Sequence, residues 1–407
     1  MDYECLFCGN KLSEFMSFGQ MPLASGFLLP DEFKNEYFYE LKVGICDSCK
    51  LFQILEVPEN ARVFHPGYPH ITSTSIYMVE HLGRLAQEVK HSYLKDNGFV
   101  FEIGSNDGSL LRNFVGTGIR SLGIDPAIIS ANMARKLSVQ TQIGYFDEAS
   151  AKSIRKEHGP ADVIFAINSI AHIPNIKGVA TGIKELIKEE GVLIFENVYL
   201  DDLIANTSYS QIYDEHVFTY SVESVRNIFS KYGLELFDIK RTEMQGGSMR
   251  FYLSPSGTHK INERVISQIE IEKERKTNDI SSFIDFKKRC EMQNVGMTRM
   301  VNELKEGGKR ICGYGAATKS TIMMNYCGLG KHQIDYLVDS TLSKQGMFSP
   351  GMHVPVRSPE YFRKNYPDFA IIFPWNHAAE IRDKERQYEQ SGGKWIIPGD
   401  NPSILQN

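Results

Sequence analysis

No stretch of this sequence stays apolar for the roughly 18–20 residues that a bilayer-spanning helix needs. The first residues, Met1-Asp2-Tyr3-Glu4-Cys5, have neither the basic head nor the apolar core of a secretion signal. Positive charge is not in excess: 45 Lys and Arg stand against 50 Asp and Glu, a net charge of −5, so there is no basic footprint for nucleic acid. Low-complexity tracts and fixed-period repeats are absent. These absences predict a cytoplasmic protein without membrane or nucleic-acid partners. Cysteine is sparse and odd in number, seven in all, which argues against a disulfide framework.

Four of the seven fall in two pairs, Cys5-x-x-Cys8 and Cys46-x-x-Cys49, with the 37 residues Gly9–Ile45 between them. A Cys-x-x-Cys knuckle puts two thiolates on one side of a tight turn, for which Gly9 and Asp47 are suited. Two knuckles make a tetrahedral set of four. The connecting loop is long, but closure entropy grows slowly with length. Four protein ligands leave no coordination position for water, so the predicted zinc is structural. Cys290, Cys312 and Cys327 read as small core residues.

A length of 407 residues implies two or three domains, and the pattern divides into three: a zinc-binding module over 1–67, an α/β domain over 68–255 and a second α/β domain over 256–407. The first is rich in turns and aromatics. A helix is expected over Ile76–Leu94, with Met78, Leu82, Leu85 and Val89 on one face. Phe99–Ile103, Ser121–Ile124, Asp162–Ile167 and Gly191–Phe195 read as buried strands with helical segments between them, hence a mostly parallel sheet. Leu234–Ile239 and Met249–Leu253 suggest an antiparallel addition turning at Gly246-Gly247. A charged helical stretch from Ile261 to Glu306 leads to further strands at Arg310–Tyr314, Ile334–Val338 and Phe369–Phe373.

The glycine loop Glu102-Ile103-Gly104-Ser105-Asn106-Asp107-Gly108 follows the first of these strands and is expected to open a helix at Ser109. Gly104 permits a sharp turn and close ligand approach, and Asn106 and Asp107 tolerate left-handed backbone. The next strand ends in Asp125, 21 residues after Gly104, where a ribose diol would be held. A dinucleotide site needs G-x-G-x-x-G to seat a pyrophosphate. Here the loop is acidic, and Glu102 and Asp107 suit the ammonium and sulfonium of S-adenosylmethionine instead. Phe146 could pack on adenine, and Asn168 stands at the end of the strand Asp162–Ile167, at the edge where open α/β sheets bind ligands. The pattern reads as a class I, Rossmann-like methyltransferase.

Tyr213-Asp214-Glu215-His216 gathers ionisable groups after the last strand of the parallel run. His172, in Asn168-Ser169-Ile170-Ala171-His172-Ile173-Pro174, is expected to face the same crevice. A histidine is the natural base near neutral pH, and a neighbouring carboxylate could hold its tautomer. In the last domain Gly313-Tyr314-Gly315 follows a strand but lacks the full dinucleotide fingerprint.

Together these residues resemble the nucleotide-sugar C-methyltransferases of deoxysugar biosynthesis, typified by the 3-C-methyltransferases. The resemblance runs through the cysteine pairs, Tyr68-Pro69, Glu102-Ile103-Gly104, Asn106-Asp107-Gly108, His172-Ile173-Pro174 and Gln211–His216. It continues through Gly313-Tyr314-Gly315-Ala316, Lys319-Ser320, Pro350-Gly351 and Trp375-Asn376-His377-Ala378. It implies a Rossmann-like C-terminal domain that holds the nucleotide sugar, with Gly313, Tyr314, Gly315 and Lys319 as substrate-binding positions. It also implies His216 as general base, with Tyr213, Glu215 and His172 lining the site and Tyr68 near the sugar or its phosphates. One departure is His70, where a second tyrosine often stands; it bears on the fit of the sugar rather than the chemistry. The implied reaction removes the proton beside the ketone of a nucleotide-linked 4-keto-6-deoxysugar and methylates the resulting enolate, at C3. The alternatives are C5- or O-methylation of a nucleotide sugar, an NAD-dependent sugar oxidoreductase, and a zinc-ribbon nucleic-acid binder.

Overall fold

The computed structural model describes residues 3–64, 70–399 and 402–405. Among them no helix is long and apolar enough to cross a membrane. Three sheets share one apolar core that runs from Leu12 in the first to Ile396 in the last. The N-terminal sheet is built on a long hairpin, β1 (Leu12–Pro22) and β2 (Phe38–Cys46), with β3 (Phe52–Ile54) beside it. Its pairing extends from Leu12 opposite Cys46 to Pro22 opposite Phe38. The sequence pattern, read as turn-rich, hid these strands for a physical reason. Register shifts between Glu14 and Met16 and between Ser17 and Gln20 break the alternation by which a half-buried strand is recognised.

The central sheet contains β4 (Phe99–Ile103), β5 (Arg120–Asp125), β6 (Thr141–Ile143), β7 (Ala161–Ile167) and β8 (Ile187–Val198), all parallel. The short β9 (Phe218–Thr219) leaves this domain and pairs with β3, completing the N-terminal sheet. β10 (Leu234–Thr242) and β11 (Ser248–Pro255) return antiparallel against β8, giving the order β10-β11-β8-β7-β4-β5-β6. β4 is buried along its whole length, as a central parallel strand must be. The helix Ile76–Ser92 covers this sheet with Leu82, Leu85 and Val89, as their spacing predicts. The helix expected after the glycine loop is only a 3₁₀ turn, Leu111–Phe114. Gly116 and Gly118 adopt left-handed backbone just beyond it, which stops propagation.

Two helices, Glu263–Glu274 and Ile280–Glu306, bridge to the third sheet; the break between them has Lys276 at φ 55° and Asp279 capping Ser281 N–H. That sheet contains β12 (Ile311–Tyr314), β13 (Leu337–Val338), β14 (Val356–Arg357), β15 (Phe369–Ile372), β16 (Lys394–Ile397) and β17 (Ser403–Ile404). Its order is β14-β13-β12-β15-β16-β17, parallel except for the last. The fold is therefore α/β, with a cysteine-bearing N-terminal module, a Rossmann-like central domain and a Rossmann-like C-terminal domain.

Candidate active site

The two cysteine knuckles meet at the open end of the hairpin. They have the same backbone design: Gly9 N–H donates to Cys5 O and Lys50 N–H to Cys46 O, both at 2.8 Å, and Gly9 and Lys50 both have positive φ. Lys50, rather than Asp47, thus takes the left-handed position of the second turn. All four sulfurs lie within 4.8 Å of one another, with Cys5 Sγ to Cys49 Sγ at 3.6 Å and Cys8 Sγ to Cys46 Sγ at 3.4 Å. Zinc–sulfur bonds of about 2.3 Å give tetrahedron edges of about 3.8 Å, so the set fits Zn²⁺ with little adjustment. Cys290, Cys312 and Cys327 are buried core residues.

A cavity of about 560 Å³ opens at the carboxyl edge of the central sheet. Its floor is the glycine loop. Gly104 has φ +71°, and a Cβ there would lie 2.6 Å from Cβ of Ser169, so the position demands glycine. Glu102, Asn106, Asp125, Phe146 and Asn168 also line the cavity. Asp125 accepts the backbone N–H of Asn106 and of Ala127, each at 2.8 Å, which fixes the carboxylate at the strand end. Glu102 is buried, and one of its carboxyl oxygens has no hydrogen-bond partner among the described residues. Burial, then Asp125 and Asp107, push its pKa well above the usual range. An unpaired buried carboxyl facing a cavity suits a cationic ligand, as S-adenosylmethionine is. Asp107 does not line the cavity: its oxygens accept from Ser109 and from Ser73 N–H. Asn106 accepts from Thr72 N–H and hydroxyl, so residues 70–74 are fastened over the loop.

Tyr213, Glu215, His216 and His172 line the same cavity. The His216 ring is fixed at both nitrogens: Nδ1 lies 2.6 Å from Gln211 O, and Nε2 lies 2.9 Å from the Tyr213 hydroxyl. A carbonyl can only accept, so Nδ1 carries the proton and Nε2 accepts from Tyr213. The imidazole is therefore oriented by a backbone carbonyl and not by the Glu215 carboxylate, whose Oε1 accepts from the Ser25 hydroxyl at 2.7 Å. Burial and the charge of Lys319 hold the His216 pKa down at about 4. The His172 ring centroid is 5.1 Å from that of His216, and its buried Nε2 makes no hydrogen bond among the described residues. Tyr68 lies outside the described residues.

The C-terminal domain closes the cavity with Ala317, Thr318, Lys319, Lys344, Asn376 and His377. Lys319 is buried and donates to Asn376 Oδ1 at 2.7 Å, and burial pushes its pKa down to about 8. Gly313, Tyr314 and Gly315 do not line the cavity. A Cβ at Gly313 would meet the Phe373 ring at 2.4 Å and one at Gly315 would meet Pro374 at 2.5 Å, while the Tyr314 hydroxyl donates to Glu385. Their glycines serve close packing. Ser25 and Lys344 are cavity residues that sequence reasoning missed; neither sits in a motif, and only the fold brings them to the site.

Comparison with known proteins follows the same three parts. Residues 5–64 match a zinc binding domain family, 77–239 a methyltransferase domain, and 243–399 the C-methyltransferase C-terminal domain. The chain is similar to the C-methyltransferase NovU of Streptomyces niveus, 31% identical over 407 residues that cover 99% of this chain and 96% of that protein. Among solved structures, a SAM-dependent methyltransferase of Thermotoga maritima is 19% identical over 44% of this chain and 92% of its own, with a TM-score of 0.32. The magnesium protoporphyrin IX methyltransferase of Synechocystis is 12% identical over 44% of this chain and 83% of its own, with a TM-score of 0.35.

Proposed function

This chain belongs to the C-methyltransferases and depends on S-adenosylmethionine, and we propose that its acceptor is a nucleotide-linked 4-keto-6-deoxysugar, methylated at C3 through an enolate. The observation that carries this reading is the fixed Tyr213–His216 pair facing the cavity that Glu102 and Asp125 share. S-adenosylmethionine supplies the electrophilic methyl. Glu102 faces its cationic end, Asp125 holds its ribose, and Gly104, Asn106, Phe146 and Asn168 shape its pocket.

His216 acts as the base. With its proton on Nδ1 donated to Gln211 O, Nε2 keeps the basic lone pair, which takes the proton from the carbon beside the sugar ketone. The Tyr213 hydroxyl, displaced from Nε2, donates to the carbonyl oxygen where enolate charge develops. Glu215 and His172 hold the sugar. A pKa of about 4 makes the free imidazole a weak base. The reaction therefore relies on a carbon already acidified by the ketone and on stabilisation of the enolate. Lys319 and Lys344 provide cations for the diphosphate of the nucleotide, whose binding energy can be used to align the sugar with the methyl.

The test is turnover of labelled S-adenosylmethionine against a panel of nucleotide-linked 4-keto-6-deoxysugars. A product heavier by one methyl, with the label on C3 by NMR, supports the reading. Label on oxygen or on C5 replaces it, and no transfer to any sugar removes it.

A further inference from the structure

The metal end of the β1–β2 hairpin is remote from the chemistry, but the opposite end is not. Eleven residues of β1 reach roughly 35 Å, and beyond Pro22 the tip Leu23–Gly26 enters the cavity wall. Ala24 is fully buried; its N–H donates to Asp214 Oδ1 at 2.8 Å and its carbonyl accepts from Thr321 Oγ1 at 2.9 Å. Ser25 lines the cavity and donates its hydroxyl to Glu215 Oε1 at 2.7 Å. The tip is thus wedged between the Tyr213–His216 run and the helix Thr318–Cys327. The same run is held on its other side by the N-terminal sheet. Val217 O accepts from Ile54 N–H at 3.0 Å, and β9 pairs with β3 directly after.

We propose that Ser25 is a positioning residue for methyl transfer: its hydroxyl fixes the orientation of the Glu215 carboxylate in the sugar-facing wall. This rests on the reading that Glu215 holds the acceptor. A carboxylate beside a cavity has several staggered rotamers, and the charge of Lys344, which lines the same cavity, attracts it. Turned toward Lys344, Glu215 would neutralise a cation meant for the substrate and leave the sugar unheld. A hydrogen bond to a charged group is strong enough to select one rotamer. The zinc module thereby contributes a residue to the active site through its hairpin tip, while its metal anchors the far end.

A double-mutant cycle tests this in the full-length protein. Turnover is read on the nucleotide-linked 4-keto-6-deoxysugar that the wild type accepts, and S-adenosylhomocysteine affinity and zinc content are read alongside. Ser25→Ala should lower kcat about tenfold, from loss of one charge-assisted hydrogen bond, with affinity for S-adenosylhomocysteine and zinc content within about twofold of wild type. Ser25→Thr should restore most of the loss. In a Glu215→Ala background, Ser25→Ala should change kcat less than about twofold, because the group it acts through is gone. An undiminished effect in that background, or wild-type kcat in Ser25→Ala, overturns the proposal, as does a Ser25→Ala protein that has lost zinc or cofactor affinity. Wild-type kcat in Glu215→Ala alone is the separate failure of the underlying reading. Amide exchange across residues 211–217 needs no sugar and should quicken in Ser25→Ala; unchanged exchange overturns the proposal whatever sugars are turned over.

Discussion

At the scale of single residues, the account depends on His216 and on two pKa values displaced downward. The unliganded imidazole titrates at about 4 and Lys319 at about 8, both lowered by burial. Histidine is the working base when neutral, so kcat/KM should stay level as pH falls through 6.5 and drop only on approach to 4. Lysine binds an anion when charged, so kcat/KM should fall as pH rises through about 8. Profiles of wild type and Lys319→Met check this: the alkaline limb should be absent from the variant, and an acid limb at 6.5 would contradict the assignment of His216. Stability follows the same sign. Because the folded pKa of His216 lies below its ordinary value of 6.5, the unfolded chain binds more protons, and stability is lost as pH falls from 6.5 toward 4. His216→Asn should cut turnover roughly 100-fold or more while calorimetry shows S-adenosylhomocysteine binding intact. Asp125→Ala should weaken that binding through loss of the ribose acceptor and of the cap on Asn106 and Ala127 N–H; unchanged affinity would remove Asp125 from the site.

Among elements, legibility in the sequence followed burial. β4 has the bounds Phe99–Ile103 that its apolar run, interrupted only by Glu102, implies, and β10 and β11 pair antiparallel as their spacing suggests. The hairpin β1–β2 was illegible because its register shifts scramble the period-two signal. The short strands β6, β14 and β17 offer too few residues to establish any period. In the candidate site, Tyr213 and His216 were legible because they stand three residues apart in one run. Ser25 was not, because its partner Glu215 is 190 residues away. The helix expected after the glycine loop failed because apolar Leu110 and Leu111 pack inward from a turn that glycines then end. The hairpin also determines what zinc removal should do. Cys5→Ser should abolish stoichiometric zinc in elemental analysis and lower the thermal midpoint, since structural zinc contributes folding energy. Because the central sheet carries the cofactor pocket, turnover should fall further than S-adenosylhomocysteine affinity. Equal loss of both would show that the module supports the whole fold rather than the acceptor wall.

Across the whole molecule, three domains meet at one cavity, and each contributes a different kind of group. The central domain offers an acidic floor for a cationic cofactor, the C-terminal domain offers Lys319 and Lys344, and the N-terminal module braces the run that carries His216. The pairing of β9 with β3 ties this run to the N-terminal sheet although it lies outside the parallel sheet. The most direct measurement of the central claim is hydrogen exchange at the sugar carbon itself. A nucleotide-linked 4-keto-6-deoxysugar is incubated in deuterium oxide with enzyme and S-adenosylhomocysteine, so that no methyl can be transferred, and C3 is followed by NMR. The account predicts deuterium at C3 with the wild type and none above the uncatalysed rate with His216→Asn. Equal exchange by the two proteins would contradict His216 as the base, and exchange at C5 instead of C3 would contradict the proposed site of methylation.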